Sequence, residues 1–216
     1  MNQHNNRVKQ LVDDLKAICT NNGLGGTANE QEIVTTSFLY KFLNDKFLYE
    51  IGKIKPNIKS YEDLKALSEN DYKLLLVRIG NDSAHLKPEH LLSYLFKQQD
   101  QSDFYKTFDE TLNDIAIFNN AVFSVLTDEN TDIKLFEEDL IAKSVKDQSK
   151  RNGVAKSIIN KLADSRFDFN QIFGAGFDFF STLFEYMIKD YNKDGGGKYA
   201  EYYTPHTVAK LWRKSL

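Results

Sequence analysis

Ile33-Val34-Thr35-Thr36-Ser37-Phe38-Leu39-Tyr40-Lys41-Phe42-Leu43-Asn44-Asp45-Lys46-Phe47-Leu48-Tyr49-Glu50-Ile51 is the stretch that decides the fold class. Ile33, Val34, Phe38, Leu39, Phe42, Leu43, Phe47, Leu48 and Ile51 recur three and four residues apart, so on a helix they cover one wide apolar face. Such a face belongs to a central core helix. Asn29 followed by Glu32 resembles a capping box with Asn in place of the usual Ser or Thr, and the spacing predicts a helix from Asn29 to about Ile51.

The same periodicity runs outward on both sides. Val8, Leu11, Val12, Leu15, Ile18 and Cys19 form a stripe on a helix from Asn6 to Asn21, and Gly23 is its C-cap. Cys19 lies on that stripe and reads as a small buried hydrophobe. Pro56-Asn57 breaks the pattern; Ser60, with Asp63 completing a capping box, starts a short helix through Leu67. Asp71 to Ile79 is apolar enough for either a helix or a buried strand. Gly80 to Ser83 is a loop, and Pro88 opens a helix to about Lys97. His85 and His90, five apart and without a nearby Cys, read as surface histidines rather than metal ligands.

Asp100 to Asn120 is a further helix, with Phe104, Phe108, Leu112, Ile115 and Phe118 facing inward. Val122 to Leu126 and Asp132 to Phe136 flank a polar turn and read as a small β-hairpin, or alternatively as a loop between helices. Glu137 to about Lys146, and the chain from Val154, return to helix. The fold class is mainly α.

At 216 residues the chain accommodates one substantial domain plus an appendage. Its 41% apolar content, with 16 Phe and 11 Tyr, suffices for a core. A net charge of −3 excludes an indiscriminate polyanion binder. The lone Cys19 cannot form an internal disulfide, there is no apolar signal-peptide core, and no apolar run is as long as a membrane span. A soluble cytoplasmic protein is expected. One segment departs from the acidic average. Residues 143–166 hold Lys143, Lys146, Lys150, Arg151, Lys156, Lys161 and Arg166 against Asp147 and Asp164, a balance of +5. Lys146, Lys150, Arg151 and Lys156, with the backbone of Asn152-Gly153 ahead of the helix from Val154, are the candidate phosphate contacts. The competing reading is a solvated helix face.

Towards the end, Phe167, Phe169, Phe173, Phe177, Phe179, Phe180, Phe184 and Tyr186 form an aromatic block, mostly at core spacing. Gly195-Gly196-Gly197 then makes a flexible join to Glu201-Tyr202-Tyr203-Thr204-Pro205-His206. Thr204 is a good N-cap and Pro205 suits the first helical position. Free N–H groups and the positive dipole end of this helix N-terminus can hold a carboxylate or a phosphate. The glycine run is not a P-loop: the earlier Gly is missing and Tyr199 follows Lys198.

Glu201 to His206, followed by Val208-Ala209-Lys210-Leu211, resembles the Thr-Pro segment of adenine-N6 DNA methyltransferases, and Leu183-Phe184-Glu185-Tyr186-Met187-Ile188 resembles the helix that leads into it. The pair is most similar to the modification subunit of type I restriction-modification systems. The resemblance implies a helical N-terminal domain over residues 1–193, then a join and the first helix of a Rossmann-like catalytic domain over residues 194–216. It implies that Glu201, Tyr202, Tyr203, Thr204, Pro205 and His206 begin an S-adenosylmethionine pocket. It also implies double-stranded DNA, a sequence-recognition subunit and a restriction subunit as partners. Ala200 stands where the family commonly has Gly. The family's catalytic Pro-Pro motif is missing, since the prolines are Pro56, Pro88 and Pro205, so these residues alone include no catalytic group. The alternative is a protein-interaction module that docks the recognition subunit without touching DNA.

Overall fold

The computed structural model describes residues 2–80, 83–120, 125–126, 132–133, 135–136 and 138–173. They are mainly helical. Helix α1 (Asn2–Asn21) leads through a turn into α2 (Ala28–Ile54), followed by α3 (Tyr61–Lys65) and α4 (Glu69–Ile79). A 3-10 turn (Pro88–His90) precedes α5 (Leu92–Gln98) and α6 (Phe104–Phe118). After α6 come α7 (Leu140–Ser144), α8 (Gln148–Leu162), a 3-10 turn (Ser165–Phe167) and α9 (Asn170–Phe173). Between α6 and α7, Val125–Leu126 and Asp132–Ile133 pair antiparallel, Val125 opposite Ile133. The turn between these two-residue segments lies outside the described residues.

Helix α2 is the axis. Its neighbours are α1, α4, α7, α8 and α9. Every residue from Ser37 to Asp45 is buried, so the helix is enclosed rather than one-faced. That enclosure takes Lys41, Asn44 and Asp45 out of water, where unpaired they would be costly. They are paired. Lys41 Nζ and Asn44 Nδ2 donate to Asp45 Oδ1 at 3.0 and 2.9 Å. The Phe169 N–H donates to Asp45 Oδ2 at 3.1 Å, and the Leu92 N–H donates to Asn44 Oδ1 at 2.9 Å. Tyr40 donates to the His90 carbonyl at 2.8 Å. Three side chains of one helix thus fix the start of α5 and the chain leading into α9.

Several boundaries differ from the sequence reading. Helix α2 is capped two residues earlier: the Thr27 hydroxyl accepts the Glu30 N–H, and the Glu30 carboxylate accepts the Gly26 N–H. The Ser60–Asp63 capping box is present as read. Residues 71–79 are helical, capped by Ser68, with Leu74 and Val77 59% and 77% exposed. Pro88 opens only a 3-10 turn before α5 begins at Leu92. Phe118 is 39% exposed, not inward. His90 is not on the surface. It is buried, its Nδ1 accepts the Lys87 N–H at 3.2 Å, and its Nε2–H donates to Asp114 at 2.7 Å. The helix read from Val154 begins at Gln148, so Asn152 and Gly153 sit inside α8 and their backbone does not form a free loop.

Gly153 has open space where a Cβ would stand. Ala there removes backbone freedom from the unfolded chain without a clash. Gly153→Ala should therefore raise stability by about 1 kcal/mol, seen as a higher urea midpoint at unchanged slope; an equal or lower midpoint would show that the position is strained.

Candidate functional site

Helices α7 and α8 meet at a short extended joint, and that joint is built on α6. Asp109, buried on α6, accepts the N–H groups of Ile141 and Ala142 at 2.9 and 3.0 Å, capping the first turn of α7 from outside. Burial pushes its carboxyl up to about 6, and those two N–H bonds hold it from rising further. Helix α7 ends at Ser144, and Val145 is extended. Asp147 then caps α8 by accepting the Ser149 N–H at 3.0 Å. Arg151, one turn into α8, reaches back: its Nε donates to the Val145 carbonyl at 2.9 Å, and its guanidinium lies 5.5 Å from the centre of the Tyr105 ring.

Against this joint stands the turn between α1 and α2. Gly23 and Gly26 turn the chain at φ of 77° and 68°, values that favour glycine. Asn29, in the first turn of α2, donates from Nδ2 to the Ser144 carbonyl at 3.2 Å. A cleft of about 310 Å³ lies between the two segments. Gly23, Leu24, Thr27 and Asn29 line one side; Ser144, Val145, Lys146, Asp147 and Lys150 line the other. It therefore opens at the N-terminal ends of two long helices, α2 and α8, where backbone N–H groups have no intrahelical carbonyl. Lys146 and Lys150 are exposed at its edge.

The four sequence-predicted DNA ligands thus separate into two kinds. Lys146 and Lys150 come together at the cleft. Arg151 is half-buried and spent on the joint, and Lys156 pairs with Asp100. Elsewhere in the basic segment, Lys161 pairs with Asp14 at 3.1 Å and Arg166 with Asp164. Asn152 is a cap for α6: its Oδ1 accepts the Tyr105 N–H at 3.0 Å, and its Nδ2 donates to the Ser102 carbonyl. The predicted cofactor residues Glu201, Tyr202, Tyr203, Thr204, Pro205 and His206 lie outside the described residues. The sequence reading missed Thr27, Asn29 and Ser144 as lining residues. The Thr-x-x-Glu spacing of Thr27 and Glu30 was the available signal for the first two; Ser144 had none.

Cys19 is buried, and burial pushes its thiol up to about 12, so it is a packing group and not a nucleophile. Among the described residues no cluster of His, Cys, Asp and Glu could hold a metal ion, and no helix is long and apolar enough to cross a membrane. No protein-family model, curated protein or solved structure matches the chain.

The joint makes a pH-dependent prediction. Asp109 is raised above its unfolded value, so its contribution to stability is complete below about pH 4 and is lost as pH rises through about 6. Arg151 lowers that carboxyl. Arg151→Gln should therefore cost about 1–2 kcal/mol at neutral pH and less at pH 4.5, and should move the Asp109 titration upward. Urea unfolding at the two pH values, with carboxyl NMR, measures both. A penalty equal at both pH values would show that the two groups do not communicate.

Proposed function

We propose that the chain is the helical N-terminal, DNA- and subunit-binding domain of a type I modification subunit, leading into the start of its catalytic domain. The parent enzyme moves a methyl group from the sulfonium of S-adenosylmethionine to the exocyclic N6 of a flipped adenine in DNA, in the cytoplasm, beside a sequence-recognition subunit and a restriction subunit. The base must leave the duplex stack for its amine to be reached. Glu201, Tyr202, Tyr203, Thr204, Pro205 and His206 would open the cofactor pocket; a Rossmann-like core downstream would supply the rest.

What carries the reading is the paired resemblance of Leu183–Ile188 and Glu201–Leu211, two segments in the order in which the family has them. The cleft agrees with it: Lys146 and Lys150 suit backbone phosphates, which position a duplex and do not specify its sequence.

A second reading has its own support. Leu74 and Val77 stand one turn apart on α4, both largely exposed, and Ile117 is 60% exposed at the end of α6. Leu74 and Val77, on one face of α4, offer a docked protein chain apolar surface to cover. In this reading the domain binds the recognition subunit and DNA never touches it.

Charge reversal separates the two. In the assembly with the recognition subunit, Lys146→Glu with Lys150→Glu should weaken duplex binding and lower the dependence of log affinity on log salt by about two, with assembly intact. Unchanged affinity and slope favour the docking reading, and Leu74→Ser with Val77→Ser should then abolish assembly. The reading frame beyond Leu216 tests the enzyme itself: a glycine-rich loop and then Asn-Pro-Pro-Phe are expected, and a frame without them ends the methyltransferase proposal.

A further inference from the structure

We infer that the turn from Lys87 to His90 is an acid-sensitive latch: while the His90 ring is neutral it ties the chain between α4 and α5 to α6, and a second proton on that ring releases the turn. The geometry decides which form of the ring can be held. Its Nδ1 lies 3.2 Å from the Lys87 nitrogen, whose N–H can only donate, so Nδ1 must present its lone pair. The ring proton is then on Nε2, which donates to Asp114 Oδ2 at 2.7 Å. A second proton has only Nδ1 to occupy, and there two donors would face each other. The Lys87 N–H would lose its acceptor beside a ring that is 2% exposed.

The surrounding charges do not rescue the protonated ring. Asp114, on α6, is shared, because Lys87 Nζ also donates to it at 2.7 Å. Glu89, on the turn, pairs with Lys65 of α3, and Glu110, one turn before Asp114, is exposed. Helix α2 brings Tyr40, whose hydroxyl donates to the His90 carbonyl at 2.8 Å. The start of α5, Leu92 to Leu95, carries no charge, and its Tyr94 packs on Tyr61 of α3. Phe118 stands edge-on to the ring, centres 6.0 Å apart, with Lys87 Nζ 5.1 Å from the Phe118 centre. Burial pushes the His90 pKa below the ordinary histidine value, and Asp114 opposes that fall. The release is bounded on both sides. Asn119 donates to the His85 carbonyl at 2.9 Å and accepts its N–H at 2.7 Å, Tyr72 of α4 donates to the Leu86 carbonyl at 3.1 Å, and Asn44 accepts the Leu92 N–H. What moves lies between residues 87 and 91.

An unfolded or released histidine titrates near pH 6.5. The latched ring titrates lower. The latch is therefore at full strength above about pH 6.5 and weakens by up to about tenfold per pH unit from there down to the ring's own titration. The test follows the whole 216-residue chain by NMR between about pH 7.5 and about pH 5. The neutral His90 ring should carry its proton on Nε2 and gain the second below about pH 6.5. Hydrogen exchange at the Lys87 amide, corrected for its intrinsic pH dependence, should lose about tenfold or more of its protection across that range. The Ile158 and Ile159 amides of α8 should keep theirs. Asp109 titrates over the same range with the opposite sign, and its reporters, the Ile141 and Ala142 amides, are separate from Lys87. Asp114→Asn should move the ring titration down and Lys87→Gln should move it up, since the carboxylate favours the second charge and the lysine opposes it. A Lys87 amide as well protected at the acid end as at neutral pH, a ring that titrates at or above about 6.5, or a titration that neither variant moves would overturn the latch. Parallel loss of protection at Ile158 and Ile159 would overturn it as well, by showing that the whole fold gives way and not the turn.

Discussion

Asp45 is the group on which the architecture turns. It is a carboxylate in the middle of an enclosed helix, with desolvation raising its pKa and Lys41, Asn44 and the Phe169 N–H opposing that rise. A buried ion pair of this kind adds little net stability over an apolar replacement. Its use is specificity, because the acid must find the Phe169 N–H or remain under-satisfied. That bond spans 124 positions of sequence and fixes how the chain after α8 returns to α2. Asn44, beside it, fixes the N-terminus of α5 in the same way. Phe38 and Phe169 then pack with ring centres 5.7 Å apart, so the polar bond and the aromatic contact select the same arrangement.

Periodicity made the helices legible, and the reason is visible in α1. Val8, Leu11, Val12, Leu15 and Cys19 are all buried on one face, so the pattern and the packing coincide. It failed where a helix has no free face or no core to pack on. In α2 the run Ser37–Asp45 is buried throughout, so an apolar-face argument finds the helix but leaves Lys41, Asn44 and Asp45 on the wrong side of it. In α4 the reverse holds: Leu74 and Val77 are apolar and exposed, so its apolar positions do not mark one helical face and do not distinguish helix from strand. His90 looked like a surface residue because nothing local announces Asp114, 24 positions away, as its partner.

The candidate site was half legible. Charge counting found the segment that holds Lys146 and Lys150. It could not say that Arg151 would be used to hold the Val145 carbonyl, or Lys156 to meet Asp100, because both partners are set by the packing of α8 against α6 and the loop before it. Ser144 and Asn29 are 115 positions apart, and only the fold puts them at one cleft. The cap that aims the end of α2 was misplaced by two residues because Asn29 is itself a good capping residue, and Thr27, with Glu30 behind it, outcompetes it.

A segment with a balance of +5 reduces, once folded, to two lysines available at one cleft. Two charges facing water, on a chain that is otherwise acidic, are screened within about 8 Å at physiological ionic strength. They cannot recruit a duplex by themselves. They can hold a phosphate that something else has brought close, because a tethered contact works at a high effective concentration. In the proposed role a partner brings the duplex and the two lysines contact its backbone, whereas in the docking reading they meet no DNA at all.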